Sequence, residues 1–389
     1  MAFFFVFSSF LAILYGYTGF RLIPTLLPKK MRIFAWLFLA GSLLVLVLHI
    51  YLRVNYVLPG LSRISAWIGY TALGFLSYLF ILVLMRDLGL LAVQIVSRLR
   101  RIVSTPRNPG YFNPRRRQFL LKSSGATAVA LSAAATGIGF STAVQSPHVI
   151  RVPIPLKPKD KALSGLTIVQ LTDLHVGPIV QYPYVKKVCD TIHQLNADLI
   201  VFTGDLADGS PRHLARDVSP MGDLQAPLGK FFVTGNHEYY SGVNRWLLAA
   251  AGLGFTPLLN EHRIIPYNRG ALSLGGVTDI QAGAFLKSHR SSPRKAFAGC
   301  PDDSFKLLLA HQPPSVYEAA HIDVDLQLSG HTHGGQYFPL GWVILLEQPF
   351  VKGLYQYRHT RIYVNQGTGY WGPPLRLGTV PEITLITLV

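Results

Sequence analysis

At 389 residues, half of them hydrophobic and with a mean hydropathy of +0.32, the chain is too long and too apolar for one small soluble domain. Its formal net charge of +17 is unevenly spread: residues 1–160 carry 18 Lys and Arg against only Asp87 and Asp160, whereas residues 161–389 carry 18 against 17 acids. That split excludes a nucleic-acid-binding role founded on overall charge and puts the basic excess in the apolar N-terminal part.

Three charge-free runs come first, Ala2–Phe20, Ile33–Leu52 and Ile64–Met85. Each is near the roughly 20 residues that a helix needs to cross a bilayer, so residues 1–100 read as a membrane domain of three transmembrane helices. A fourth uncharged run, Ser123–Gln145, is weaker, being built largely of Ala, Gly, Ser and Thr. The basic loop 28–32 and the basic stretch Arg98–Lys122 place those segments on the cytoplasmic side. The fourth run then leads outward, and everything after about residue 146 is expected outside. The stretch "RRRQFLLK" (Arg115–Lys122) directly before it resembles a twin-arginine export signal, though an internal one with no cleavage site after it. Residues 101–148 are therefore expected to be a basic cytoplasmic segment, this motif and an anchor. Cys189 and Cys300 do not make a disulfide framework; a single bridge is compatible with the chain but not required by it.

From 149 onward strands and helices alternate. "VIRVPIPLKPKDKALSG" is a first strand or linker, "LTIVQLTDLH" (166–175) an apolar strand ending in polar residues, and 183–195 a helix. "DLIVFTGDL" (198–206) and "GKFFVTGNHEYY" (229–240) are further strands, and "NRWLLAAAG" (244–252) is helical. "ALSLGGVTD", "FKLLLAHQP" and "VDLQLSGHTH" repeat the strand-to-loop pattern before a β-rich C-terminus. Units of this kind predict a layered α/β domain over 149–389.

Polar residues gather where these strands end: Asp173 and His175, Asp205, Asn236 and His237, His311, and His331 with His333. The last pair, two apart at the end of a strand, is expected to share one side by the period of two. Each residue alone has an ordinary turn or core explanation. Five strand ends delivering oxygen and nitrogen ligands together predict a metal site.

The series "TDLH…TGDLAD…TGNHE…AHQP…GHTHGGQ" resembles the blocks of the calcineurin-like metallophosphoesterases, all five in order. The C-terminal stretch is similar to that of a membrane-associated bacterial branch. The resemblance covers about residues 150–389 and implies a four-layer α/β/β/α domain behind the N-terminal helices. It implies Asp173, His175, Asp205 and His333 on one divalent ion, and Asp205, Asn236, His311 and His331 on a second, with Asp205 bridging. Mn, Fe, Zn or Ni suit such ligands better than Ca. The ion pair would clamp a phosphoryl group and activate water. His237 would contact the substrate phosphate or protonate the leaving oxygen, and Asn236 would also face substrate. Glu238 either orients His237 or acts directly, and Asp208 reads as loop or helix-start structure. Gly330, Gly334 and Gly335 are expected to keep the loops open for phosphate. The stretch "YWGPPLRLG" (370–378), with its aromatics, prolines and Arg376, is a candidate wall of the cleft or phosphate contact, or else ordinary loop packing.

The implied activity is a phosphodiesterase at a bacterial cell membrane, multi-pass and with its catalytic domain extracytoplasmic. Its partners would be the bilayer and a phosphoester substrate, lipid-linked or from the cell envelope. A phosphomonoesterase or protein phosphatase shares the same metals, and a non-catalytic membrane sensor would be expected to have lost ligands. No specific nucleic-acid binding is expected, although nuclease-like diester chemistry stays open.

Overall fold

The computed structural model describes residues 2–103 and 113–389, so residues 104–112 of the expected basic segment lie outside the described residues. The chain divides into two units, Met1–Phe140 and Ser141–Val389. Among the described residues the first holds the helices α1 (Ala2–Leu26), α2 (Lys29–Asn55) and α3 (Pro59–Val103) and all but the last turn of α4 (Pro114–Val144). Among the described residues, Lys29–Asn55, Pro59–Leu99 and Pro114–Val144 are long and apolar enough to cross a membrane. The Ser123–Gln145 run thus lies largely within a helix that meets that measure. Leu14, Leu46, Leu79 and Val83 close the helical core, while Phe34, Leu37 and Phe38 on α2 face outward. Apolar side chains on the outer face are what lipid contact requires.

The second unit is built on two six-stranded sheets. Its elements run β1 (His148–Ile154), β2 (Thr167–Leu171), α5 (Tyr182–His193), β3 (Leu199–Phe202), α6 (Pro211–Val218), β4 (Lys230–Phe232), α7 (Asn236–Ser241), α8 (Val243–Gly252) and β5 (Thr256–Pro257). There follow β6 (Glu261–Tyr267), β7 (Gly270–Gly276), β8 (Phe305–Leu309), β9 (Leu326–Ser329), β10 (Gly353–Tyr357), β11 (Thr360–Val364) and β12 (Glu382–Leu388). The first sheet has the order β1-β12-β2-β3-β4-β5 and the second β10-β11-β9-β8-β7-β6. β2 to β5 are parallel, as are β7, β8, β9 and β11.

Burial on both faces explains why the central strands read as unbroken apolar runs such as Leu199–Phe202. Ile168, Leu199 and Val201 of the first sheet share a core with Leu274, Leu307 and Leu328 of the second. On the outer face of the first sheet, Val185, Val188, Cys189 and Ile192 of α5 pack with Trp246 of α8 against Ile200 and Phe202. The 3-1-3 spacing of those α5 residues is a single helical stripe. Val277, Leu308, Ala296 and Ala319 form a further cluster that the short helices Pro293–Ala296 and Val316–Ala319 cover. The result is the expected α/β/β/α layering. Cys189 and Cys300 are both free thiols, so the bridge left open by the sequence does not form.

Candidate metal centre

The site lies just beyond the C-terminal ends of β2, β3, β4, β8 and β9, on the loops that follow them. Parallel strands from both sheets end together there, as α/β folds commonly arrange. Five of the polar residues on these loops have left-handed backbones: Asp173 (φ 51°), His175 (50°), Asp205 (58°), His331 (70°) and His333 (51°). Non-glycine residues avoid this region unless the surroundings impose it, and such strain gathers at functional sites.

This corrects the strand geometry expected for the histidine pair. β9 ends at Ser329, and His331 and His333 lie beyond it in a left-handed loop and a 3-10 turn. They do not share one side. His333 joins Asp173 and His175, whereas His331 joins Asp205 and His311, each set of ligand atoms lying within 4.8 Å. Nε2 of His175 and of His333 face each other at 3.0 Å, and Nδ1 of His331 faces Nε2 of His311 at 3.2 Å. Oδ1 of Asn236 lies 3.2 Å from the same His311 nitrogen.

The two carboxylates are held alike. Oδ2 of Asp173 accepts hydrogen bonds from the Thr172 hydroxyl (2.6 Å) and the His331 N–H (2.9 Å), leaving Oδ1 buried without a partner. Oδ1 of Asp205 accepts from the His237 N–H at 2.9 Å. Its Oδ2 lies 3.2 Å from His311 Nε2, 3.7 Å from His175 Nε2 and 3.9 Å from His237 Nε2. Asp205 thus stands between the two groups. An orphaned carboxylate oxygen and imidazole nitrogens converging on one another are the donor set a pair of divalent cations would satisfy. The residues fit such ions.

Charge among the side chains of the site is sorted by burial and neighbours. Burial pushes the Asp205 carboxyl up, but the His311 and His237 imidazoles outweigh it and hold it well below the usual carboxylate range. Burial pulls His237 down, yet Asp205 and Asp208 carry it up to about 9. His311 is likewise raised by Asp205 against its burial. Burial and the neighbouring His311 push His331 down to about 3, so its ring stays neutral with a lone pair to offer.

Several expected roles change. Asp208 is not a mere loop residue: its Oδ1 accepts from His175 Nδ1 at 3.0 Å and lies 2.5 Å from His237 Nδ1. This turns the Nε2 atoms of both rings toward the site. Glu238 neither orients His237 nor reaches the cleft. Its carboxylate accepts from the backbone N–H groups of Asp205, Leu206 and Gly235 at 2.7–3.0 Å, tying the β3 and β4 loops together. Arg376, wholly buried, is no phosphate contact. Its guanidinium donates to the carbonyls of His333, Gln366, Gly367 and Gly369, bracing the backbone behind His333. The glycines serve close packing rather than room for phosphate. A Cβ on Gly330 would strike the Asp173 carboxylate and Thr172, and Gly335 combines φ +83° with close contact to Gly341, with Gly334 similarly left-handed.

Two aromatics also enter the site, Trp371 from the stretch expected as a cleft wall and Tyr240, which the sequence reading missed. Tyr240 and Trp371 pack edge-on to the His237 ring, with centroids 5.3 and 5.8 Å away. Tyr240 follows His237 by three residues on α7, the one cue in the sequence that could have placed it there.

Comparison with known proteins covers the same stretch of the chain. The calcineurin-like phosphoesterase family profile matches residues 166–335. A bovine transmembrane protein with metallophosphoesterase domain is 39% identical over 275 residues, covering 68% of this chain and 62% of that protein. The uncharacterized metallophosphoesterase YkuE of Bacillus subtilis is 32% identical over 286 residues, covering 70% of this chain and 97% of YkuE. Against the bovine protein and its zebrafish counterpart, the match spans less than two thirds of the relative's own length. Among solved structures, a 5'-nucleotidase precursor from Thermus thermophilus overlays with a TM-score of 0.37 at 13% identity, covering 58% of this chain and 54% of that one.

Proposed function

The chain belongs to the calcineurin-like metallophosphoesterase family, and from that premise we propose that it is a membrane-anchored phosphodiesterase working at a dinuclear site on the extracytoplasmic side. The carrying observation is the position of Asp205 Oδ2, within 3.7 Å of both His175 and His311 and so shared by two ligand groups. Asp173, His175, Asp205 and His333 would hold one ion, and Asp205, Asn236, His311 and His331 the other. Such a pair, when bound, supplies Lewis-acid polarisation of phosphoryl oxygens and lowers the pKa of water.

The protein's own groups do the rest. His237, its Nδ1 held by Asp208, presents Nε2 toward the Asp205 oxygen, and the Asp208 carboxylate favours its protonated form. It is placed to hand that proton to the departing alkoxide, the need of a diester whose leaving group is a poor one. Trp371 and Tyr240 flank the ring and limit its rotation. Directly after the His331–Gln336 loop, Phe338, Trp342 and Leu346 are exposed (51%, 68% and 88%). An apolar ridge next to the site supports a lipid-linked substrate. The extracytoplasmic placement rests on the basic segments flanking the helices.

Mn²⁺-loaded full-length protein is expected to turn over bis-p-nitrophenyl phosphate faster than p-nitrophenyl phosphate. The reverse order would make it a monoesterase. No turnover of either with Mn, Fe, Zn or Ni would leave a sensor.

A further inference from the structure

A second cluster of charge lies in the helical unit. Arg21 on α1, Arg86 on α3, and Arg116 and Arg117 in the first turn of α4 line one pocket of about 900 Å³. Asp87 is the one carboxylate in that lining among the described residues, and it is already engaged. It accepts from the Tyr17 hydroxyl at 2.6 Å, Arg21 Nε at 2.5 Å and Arg86 Nε at 3.0 Å. Four arginines therefore line a pocket whose one carboxylate is already consumed. Nη1 of Arg86 is buried and has no hydrogen-bond partner, its side chain being 11% exposed. An unmet guanidinium N–H between apolar helices is costly and points to an absent anionic acceptor. The remaining wall includes Phe20, Leu90 and Leu120, which suit a ligand with an apolar part.

The segments that supply these arginines, the end of α1 before the 28–32 loop and residues 86–117, are those that the distribution of basic residues assigns to the cytoplasmic face. Basic pockets between membrane helices on that face fit anionic headgroups. We propose that this pocket binds an anionic phospholipid of the bilayer, its phosphate held by Arg86, Arg116 and Arg117 and its chains along Leu90 and Leu120. The arginines of "RRRQFLLK" are then part of a folded lipid site, whether or not they also serve export. The proposal is independent of the phosphoesterase reading and concerns the other unit of the chain.

The test uses full-length protein in nanodiscs of equal parts phosphatidylcholine and phosphatidylglycerol, released gently into native mass spectrometry. Wild type is expected to retain one phosphatidylglycerol in preference to phosphatidylcholine. R116Q/R117Q should weaken retention roughly thirtyfold, the loss of two interfacial cations, with helicity and melting temperature unchanged. R116K/R117K should recover most of it. Equal retention of both lipids by wild type overturns the proposal even if the glutamine variant fails to fold. So does undiminished retention in a folded R116Q/R117Q, or displacement of the lipid by inorganic phosphate alone, which would mark a soluble anion site.

Discussion

Oδ1 of Asp208 lies 2.5 Å from Nδ1 of His237, and the same oxygen accepts from His175 Nδ1 at 3.0 Å. One carboxylate therefore fixes a proposed metal ligand and a proposed acid. Asp208→Asn keeps the shape but loses the charge-assisted bonds to both rings. Metal affinity is expected to fall about 10- to 100-fold, with kcat reduced even at saturating metal. Measuring metal content by mass spectrometry alongside kcat checks both, and unchanged values in each would return Asp208 to a structural role.

His237→Ala should leave metal content intact and lower kcat by roughly 10²–10⁴. If both ions are lost instead, His237 is a ligand rather than the proton donor. The effect should be smaller for substrates with good leaving groups, which need less protonation.

Asp205→Asn is expected to abolish hydrolysis while the near-ultraviolet circular dichroism stays that of the wild type. Full activity in this variant would remove Asp205 from its bridging position. The backbone bond from His237 to Oδ1 is retained in the amide, which is why folding should survive.

Glu238→Ala strands three buried N–H groups, those of Asp205, Leu206 and Gly235. Each unsatisfied donor costs about 1–3 kcal/mol, so the melting temperature should drop markedly before any substrate effect is considered. A variant as stable as wild type would mean that water replaces the carboxylate.

Chelated protein should lose stability on the alkaline side. His237 stands at about 9 in the folded state against 6.5 in the unfolded chain, and a raised histidine contributes its stability fully below the lower value. That contribution is lost as pH rises through about 9, and His311, also raised, acts with the same sign. The melting temperature of the metal-free protein is expected to decline across this window. Asp208→Asn should flatten the decline, and an equally steep profile in that variant would argue against the His237–Asp208 ion pair.

The hairpins were the part of the fold least legible beforehand. β6 and β7 join through Asn268-Arg269, and β10 and β11 through Arg358-His359, with Asn268 and Arg358 at positive φ. Neither turn carries the Asn-Gly or Asp-Gly signature that marks a hairpin in a sequence. Arg376 was left open between two readings for a related reason: a lone arginine in a Pro- and Gly-rich loop gives no sign of the carbonyls that surround it.

What the sequence determined by itself was the order of the blocks. Apolar strands, each followed by a polar residue set, specify a layered α/β domain and bring Asp173, His175, Asp205, Asn236, His311, His331 and His333 to one rim, because parallel strands align their ends. Apolar runs near bilayer length specified the helices in the same local way. The left-handed loop that carries His331 and His333, the pinning of one oxygen on each of Asp173 and Asp205, and the bond from Asp208 to two rings were decided only in the tertiary structure. Those relationships depend on left-handed loop conformations and on contacts between residues far apart in the chain, 33 positions for His175 with Asp208 and 158 for Asp173 with His331. Local periodicity carries no information at that range: pairing of β2 with β3 sets the first contact, and packing of the two sheets sets the second.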